Sequence, residues 1–174
     1  MIEPLSDPRR VDPPTVNDDE KASYDAWLDW HRITLVLKCE GLDDASRKAR
    51  PIPTSKMSLH GLVRHMTEVE RGWFRRVIAQ EDAKPILDYS VDEDADFEVA
   101  ADASWEDDLA LFEAEVEVCR AVAAAHDLDH QVKHPRSGTD FDLRWVYVHM
   151  IEEYARHNGH ADLLRELVDG SVGD

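Results

Sequence analysis

The sequence predicts an all-α fold, a four-helix bundle with long inter-helix connections. Apolar residues recur at helical spacing in four separate stretches. Cap-forming residues stand just before those stretches and glycines just after two of them. No stretch alternates strongly as a half-buried strand would, and no internal repeat is present.

Residues 1–16 read as an extended arm with four prolines, ahead of a bundle domain over 17–170 and a short tail over 171–174. The first helix is expected over 18–40, with Asn17 as cap and Glu20 three residues on. Tyr24, Trp27, Leu28, His31 and Leu35 share one stripe, and Gly41 ends the helix. LDDASRKARPIPTSKM (42–57) reads as a long loop. The second helix is expected over 59–80, capped by Ser58, with Leu62, His65, Met66, Val69 and Trp73 facing inward. Residues 81–103 are acidic and irregular, with room for a short extended pair.

The third helix is expected over 105–126. Ser104 and Asp107 form a capping-box pattern, and Leu109, Phe112, Val116, Cys119 and Ala123 form the stripe. Residues 127–139 form a turn-rich loop. The fourth helix is expected over 140–168, with Thr139 and Asp142 as capping box and Gly170 beyond its end. Its stripe runs through Val146, His149 or Met150, Glu153, His157, His160 and Leu164.

A chain of 174 residues is long enough for one real core, and 43% hydrophobic content excludes a disordered chain. The formal charge of -18 argues against nucleic acid, whose phosphates such a surface repels. No apolar run reaches the roughly 20 residues of a membrane span. The polar, proline-rich N-terminus lacks the apolar core of a signal peptide, so a cytoplasmic protein is expected. Cys39 and Cys119 lie among apolar neighbours and read as buried free thiols.

Three polar residues interrupt the apolar faces: His65 in the second helix, and Glu153 and His157 in the fourth. Residues four apart share a helix face, so Glu153 and His157 address one small volume. A carboxylate there is costly unless something pairs it. The plain reading is a Glu–His hydrogen bond on a partly exposed face. The functional reading is a His₂Glu set holding a divalent cation, which suits zinc and also fits nickel, iron or manganese. His149 and His160 flank the pair. A row from 149 to 160 spans about 16 Å, too long for one ion, so both are assigned roles around the ligands. Gly159 inside the helix reads either as tolerated or as a point of close approach.

Two segments, GLVRHMTEVERGWF (61–74) and HMIEEYARHNGHADLLRE (149–166), resemble the signature segments of the DinB-like superfamily. The resemblance is nearest to its actinobacterial branch, related to mycothiol-dependent S-transferases and maleylpyruvate isomerases. It implies a bundle with a metal near one end of the core, held by one histidine of the second helix and two ligands of the last. Most members carry His-x-x-x-His there. This chain has Glu153 at the first position, as the maleylpyruvate isomerases do.

The chemistry so implied is transfer of a mycothiol-type thiol to a small electrophile, with metal at His65, Glu153 and His157. A metal-dependent hydrolase and a non-catalytic metal-binding bundle are the alternatives. His160, His149 and Arg156 are candidates for orientation or proton transfer, although Arg156 also reads as a plain surface charge. Trp73 and Trp145 are candidate pocket residues whose other reading is core packing. Lys133, His134 and Arg136 form a basic spot, read as a solvated loop in preference to an anion site. The resemblance also implies a homodimer.

Overall fold

The computed structural model describes residues 7–87, 89 and 94–172. Within them, α1 spans Glu20–Cys39, α2 Asp44–Lys48, α3 Leu59–Glu70, α4 Trp105–Ala124 and α5 Leu143–Asp169. Strands β1 (Gln131–Lys133) and β2 (Asp140–Asp142) form an antiparallel hairpin in which Val132 faces Phe141. Helices α1, α3, α4 and α5 make an all-α bundle, with α1 packed chiefly along α5 and α3 along α4.

Local chemistry accounts for the helix ends. Ser58 accepts a hydrogen bond from the Gly61 N–H, and Ser104 accepts one from the Asp107 N–H, each satisfying an orphan donor. Two caps differ from expectation. Asp19, not Asn17, caps α1 by accepting from the Ala22 N–H, while Asn17 accepts from the Asp19 N–H just ahead of it. Asp142 caps α5 alone, because Thr139 is drawn into the hairpin turn, where its carbonyl accepts from the His134 N–H. Gly170 closes α5 at φ 81°, in the left-handed region that favours glycine.

The core gathers Leu28 and Leu35 of α1, Leu62 and Met66 of α3, Phe112 and Val116 of α4, and Val146, Met150 and Leu164 of α5. Trp27 departs from its expected stripe: it is 45% exposed and packs edgewise on Trp30. Cys39 and Cys119 are free and buried. The expected 42–57 loop contains α2, because Asp43 caps it through the Ser46 N–H. The extended pair expected in 81–103 is not found among the described residues of that segment. Residues 88 and 90–93 of the segment lie outside them, as do residues 1–6 of the arm and 173–174 of the tail. The only strands among the described residues are in the hairpin after α4.

Beyond Glu70 the third helix widens into π-type winding over Arg71–Ile78, with the Ala79 N–H donating to the Phe74 carbonyl five residues back. At the transition sits a buried polar network. Glu70 receives a bidentate pair from Arg32 at 2.7 and 2.9 Å and a hydrogen bond from the Tyr154 hydroxyl at 2.8 Å. It joins α1, α3 and α5, the last through Tyr154, the residue after Glu153. No helix is long and apolar enough to cross a membrane, among the described residues.

Candidate metal centre and adjoining cleft

His65 comes from α3, and Glu153 and His157 come from successive turns of α5. The packing of α3 against α5 brings one donor atom from each to within 4.8 Å of the others. His157 Nε2 lies 3.4 Å from Glu153 Oε2, and the rings of His65 and His157 have centroids 4.6 Å apart. The side chains are 21%, 18% and 10% exposed for His65, Glu153 and His157, so the cluster is accessible from one side.

Each imidazole has one nitrogen engaged by a partner outside the trio. His65 Nδ1 is 2.5 Å from Asp96 Oδ2, with Asp96 itself buried and Phe97 stacked on the ring at 5.0 Å. His157 Nδ1 is 3.4 Å from His160 Nδ1. Burial, and then the neighbouring His65 and His160, push the His157 imidazole down to about 4, so it is neutral at pH 7. Two imidazoles, each with one nitrogen fixed, and a facing carboxylate make a donor set that fits a divalent cation.

Asp96 escaped the sequence reading. It stands in an acidic run where charge distinguishes no member, and its one signal is the adjacent aromatic Phe97. His149 lies beside the trio: its Nε2 is 3.7 Å from Glu153 Oε1 and its Nδ1 is 3.6 Å from Glu152 Oε2. His149, Glu152 and Glu153 also have donor atoms within 4.8 Å of one another. Burial holds the His149 imidazole below its ordinary value. Arg156 is placed on the exposed face of α5, paired with Glu152. Gly159 has open space where a Cβ would stand, so close approach does not explain it.

A cleft of about 460 Å³ opens at His65, lined also by Glu68, Asp96, Trp73, Arg76, His134 and Arg136 among others. The hairpin turn forms one wall and the widened winding after α3 the other. Trp145 packs on Trp73 at 5.2 Å and on His149 at 5.0 Å, is 44% exposed, and stands behind the cleft wall. The basic spot thus divides. Lys133 pairs with Asp140 at 2.6 Å, while His134 and Arg136 line the cleft.

A family model described as MST, mycothiol-S-transferase, matches residues 23–170. No curated protein matches the chain.

Proposed function

We propose a function from one established premise: the chain belongs to the mycothiol-S-transferase family. The reading is metal-dependent transfer of a mycothiol-type thiol to a small electrophile. The observation that carries it is the convergence of His65, Glu153 and His157 on one volume, with His65 also lining an open cleft.

The chain's own sulfurs are poor nucleophiles. Burial pushes the Cys39 thiol up to about 12 and raises Cys119 further, and both are enclosed by core. The attacking sulfur therefore comes from a thiol that enters the cleft. A divalent cation at the trio, zinc by preference over nickel, iron or manganese, would supply a Lewis acid that favours the thiolate form.

Asp96 fixes the orientation of His65, and His160 fixes that of His157. His149, neutral through burial, would accept the thiol proton at Nε2. As the S–H bond breaks, the sulfur pair forms the bond to the electrophilic carbon. The leaving group, or the proton taken up in an addition, completes the balance. Trp73 and the hairpin turn wall the cleft that the thiol would enter.

The test begins with elemental analysis of protein purified without a nickel column, which should show bound divalent metal. His157→Ala should abolish that metal while far-ultraviolet dichroism stays unchanged. Metal-loaded protein should then consume mycothiol in the presence of an aryl halide. No consumption with any of the four metals sinks the transferase reading.

A further inference from the structure

The cleft lacks the acidic excess of the molecule around it. Arg76 and Arg136 balance Glu68 and Asp96 in its lining. Both carboxylates are already engaged, Glu68 by Arg76 and the Ile86 and Leu87 N–H groups and Asp96 by His65. The chain carries 38 acidic and 20 basic residues, yet the cleft wall beside His65 presents Arg76, Arg136 and His134. Arg136 is exposed, and among the described residues its guanidinium has no carboxylate partner. Arg76 is loosely held. Its Nη2 is 3.5 Å from Glu68 Oε2, while Glu68 Oε1 already accepts the backbone N–H groups of Ile86 and Leu87. Gly72 leaves the passage that the Arg76 side chain uses, since a Cβ there would stand 3.0 Å from Nη2.

His134 adds a third donor. Its Nδ1 accepts from the Arg136 N–H at 3.2 Å and from the Ser137 N–H at 3.3 Å. A nitrogen that accepts carries no proton, so in the neutral ring the N–H lies at Nε2. Trp73 meets the ring edgewise at 6.1 Å. The same hairpin turn therefore supplies the imidazole donor and carries the unpaired guanidinium.

We propose that Arg136, Arg76 and His134 form a carboxylate-binding site in this cleft, so that the electrophile is a small organic acid. A guanidinium fork matches a carboxylate in two parallel hydrogen bonds, and cations at a cleft wall offset the repulsion an acidic surface exerts on an anion. A volume of about 460 Å³ suits a small-molecule ligand. The choice of electrophile rests on the transferase reading, whereas carboxylate binding requires no turnover.

Calorimetric titration of the metal-loaded protein with succinate, against succinamide as the neutral isostere, tests the site. Succinate should bind saturably and succinamide should not. Arg136→Gln should weaken succinate by about tenfold or more, and Arg136→Lys should restore part of the loss. Arg136 is exposed, so its replacement leaves the fold intact, which thermal melting checks. Chelation of the metal should leave the Arg136-dependent share of binding in place. The proposal is overturned if wild-type protein binds no succinate, or binds succinamide equally. It is also overturned if Arg136→Gln matches wild type, or if binding vanishes on chelation because the carboxylate sits on the cation alone. A protein that bound succinate through Arg136 but consumed no thiol would refute the transferase reading and leave this site standing.

Discussion

A histidine that is to hold a cation must present the correct nitrogen, and a partner on the other nitrogen decides which one that is. For His65 that partner is Asp96, at 2.5 Å. Asp96→Asn keeps the shape and removes the charge. Metal affinity, measured by competition with a chromophoric chelator, should fall about 10- to 100-fold with the fold retained. Equal affinity would show that Asp96 is only a packing partner. The convergence of the trio was legible because a four-residue spacing and helix periodicity coincide at Glu153 and His157. Asp96 was not, because a residue that meets its partner through a loop has no period to betray it. The same limit favoured the solvated-loop reading of His134 and Arg136 over the anion-site one, since their place on the cleft depends on how a turn folds back over α3.

His31 offers a second residue-scale prediction. Burial alone lowers its pKa, and its Nδ1 lies 3.1 Å from Asn158 Nδ2, an arrangement that suits a neutral ring accepting the amide N–H. The folded pKa is below the unfolded one, so the unfolded chain binds more protons as the solution acidifies. Stability is then fully present above the ordinary imidazole range and is lost as pH falls through it towards the folded value. Thermal melts between pH 7 and pH 5 should show this decline, and His31→Gln should flatten its slope. An unchanged slope would assign the acid sensitivity to other groups.

At the scale of elements, the four bundle helices were legible from periodicity and caps, and Ser58 and Ser104 act where expected. The hairpin was not, because strands of three residues are too short to show alternation. The wide winding over Arg71–Ile78 was hidden for a different reason. No spacing in the sequence marks it, and it begins immediately after Glu70, whose carboxylate is held by Arg32 and Tyr154 from other helices. Burying that carboxylate and guanidinium is tolerable only as a pair. Glu70→Gln removes the buried charge partner of Arg32 and leaves it only Asp29, whose side chain is exposed, and should cost about 3–5 kcal/mol. Urea unfolding should show the loss as a lower midpoint at unchanged m. A change under about 1 kcal/mol would mean that Asp29, 2.9 Å from Arg32 Nη1, carries the pairing alone.

At the scale of the whole molecule, the formal charge of -18 sets two opposing effects against each other. Exposed ion pairs such as Arg144–Glu20 and Lys133–Asp140 stabilise the fold, each by about 0–1 kcal/mol, and salt weakens them. Repulsion among the unbalanced carboxylates destabilises the compact state, and salt weakens that too. The excess decides the sign. Eighteen uncompensated negative charges on one small domain interact over many pairs beyond contact distance. Raising ionic strength from about 0.01 M to 0.15 M shortens the screening length from about 30 Å to about 8 Å, which removes these long-range terms first. Contact pairs at 2.6–3.0 Å lie well inside the shorter length and keep more of their attraction. The melting temperature should therefore rise with sodium chloride over this range. A gain of about 1 kcal/mol corresponds to about 2–4 °C for a chain of this size. Potassium chloride should give the same rise, since screening depends on ionic strength and not on the identity of the cation. A fall in melting temperature would show that the surface pairs outweigh the net repulsion, and that the acidic excess is spread too thinly to strain the fold.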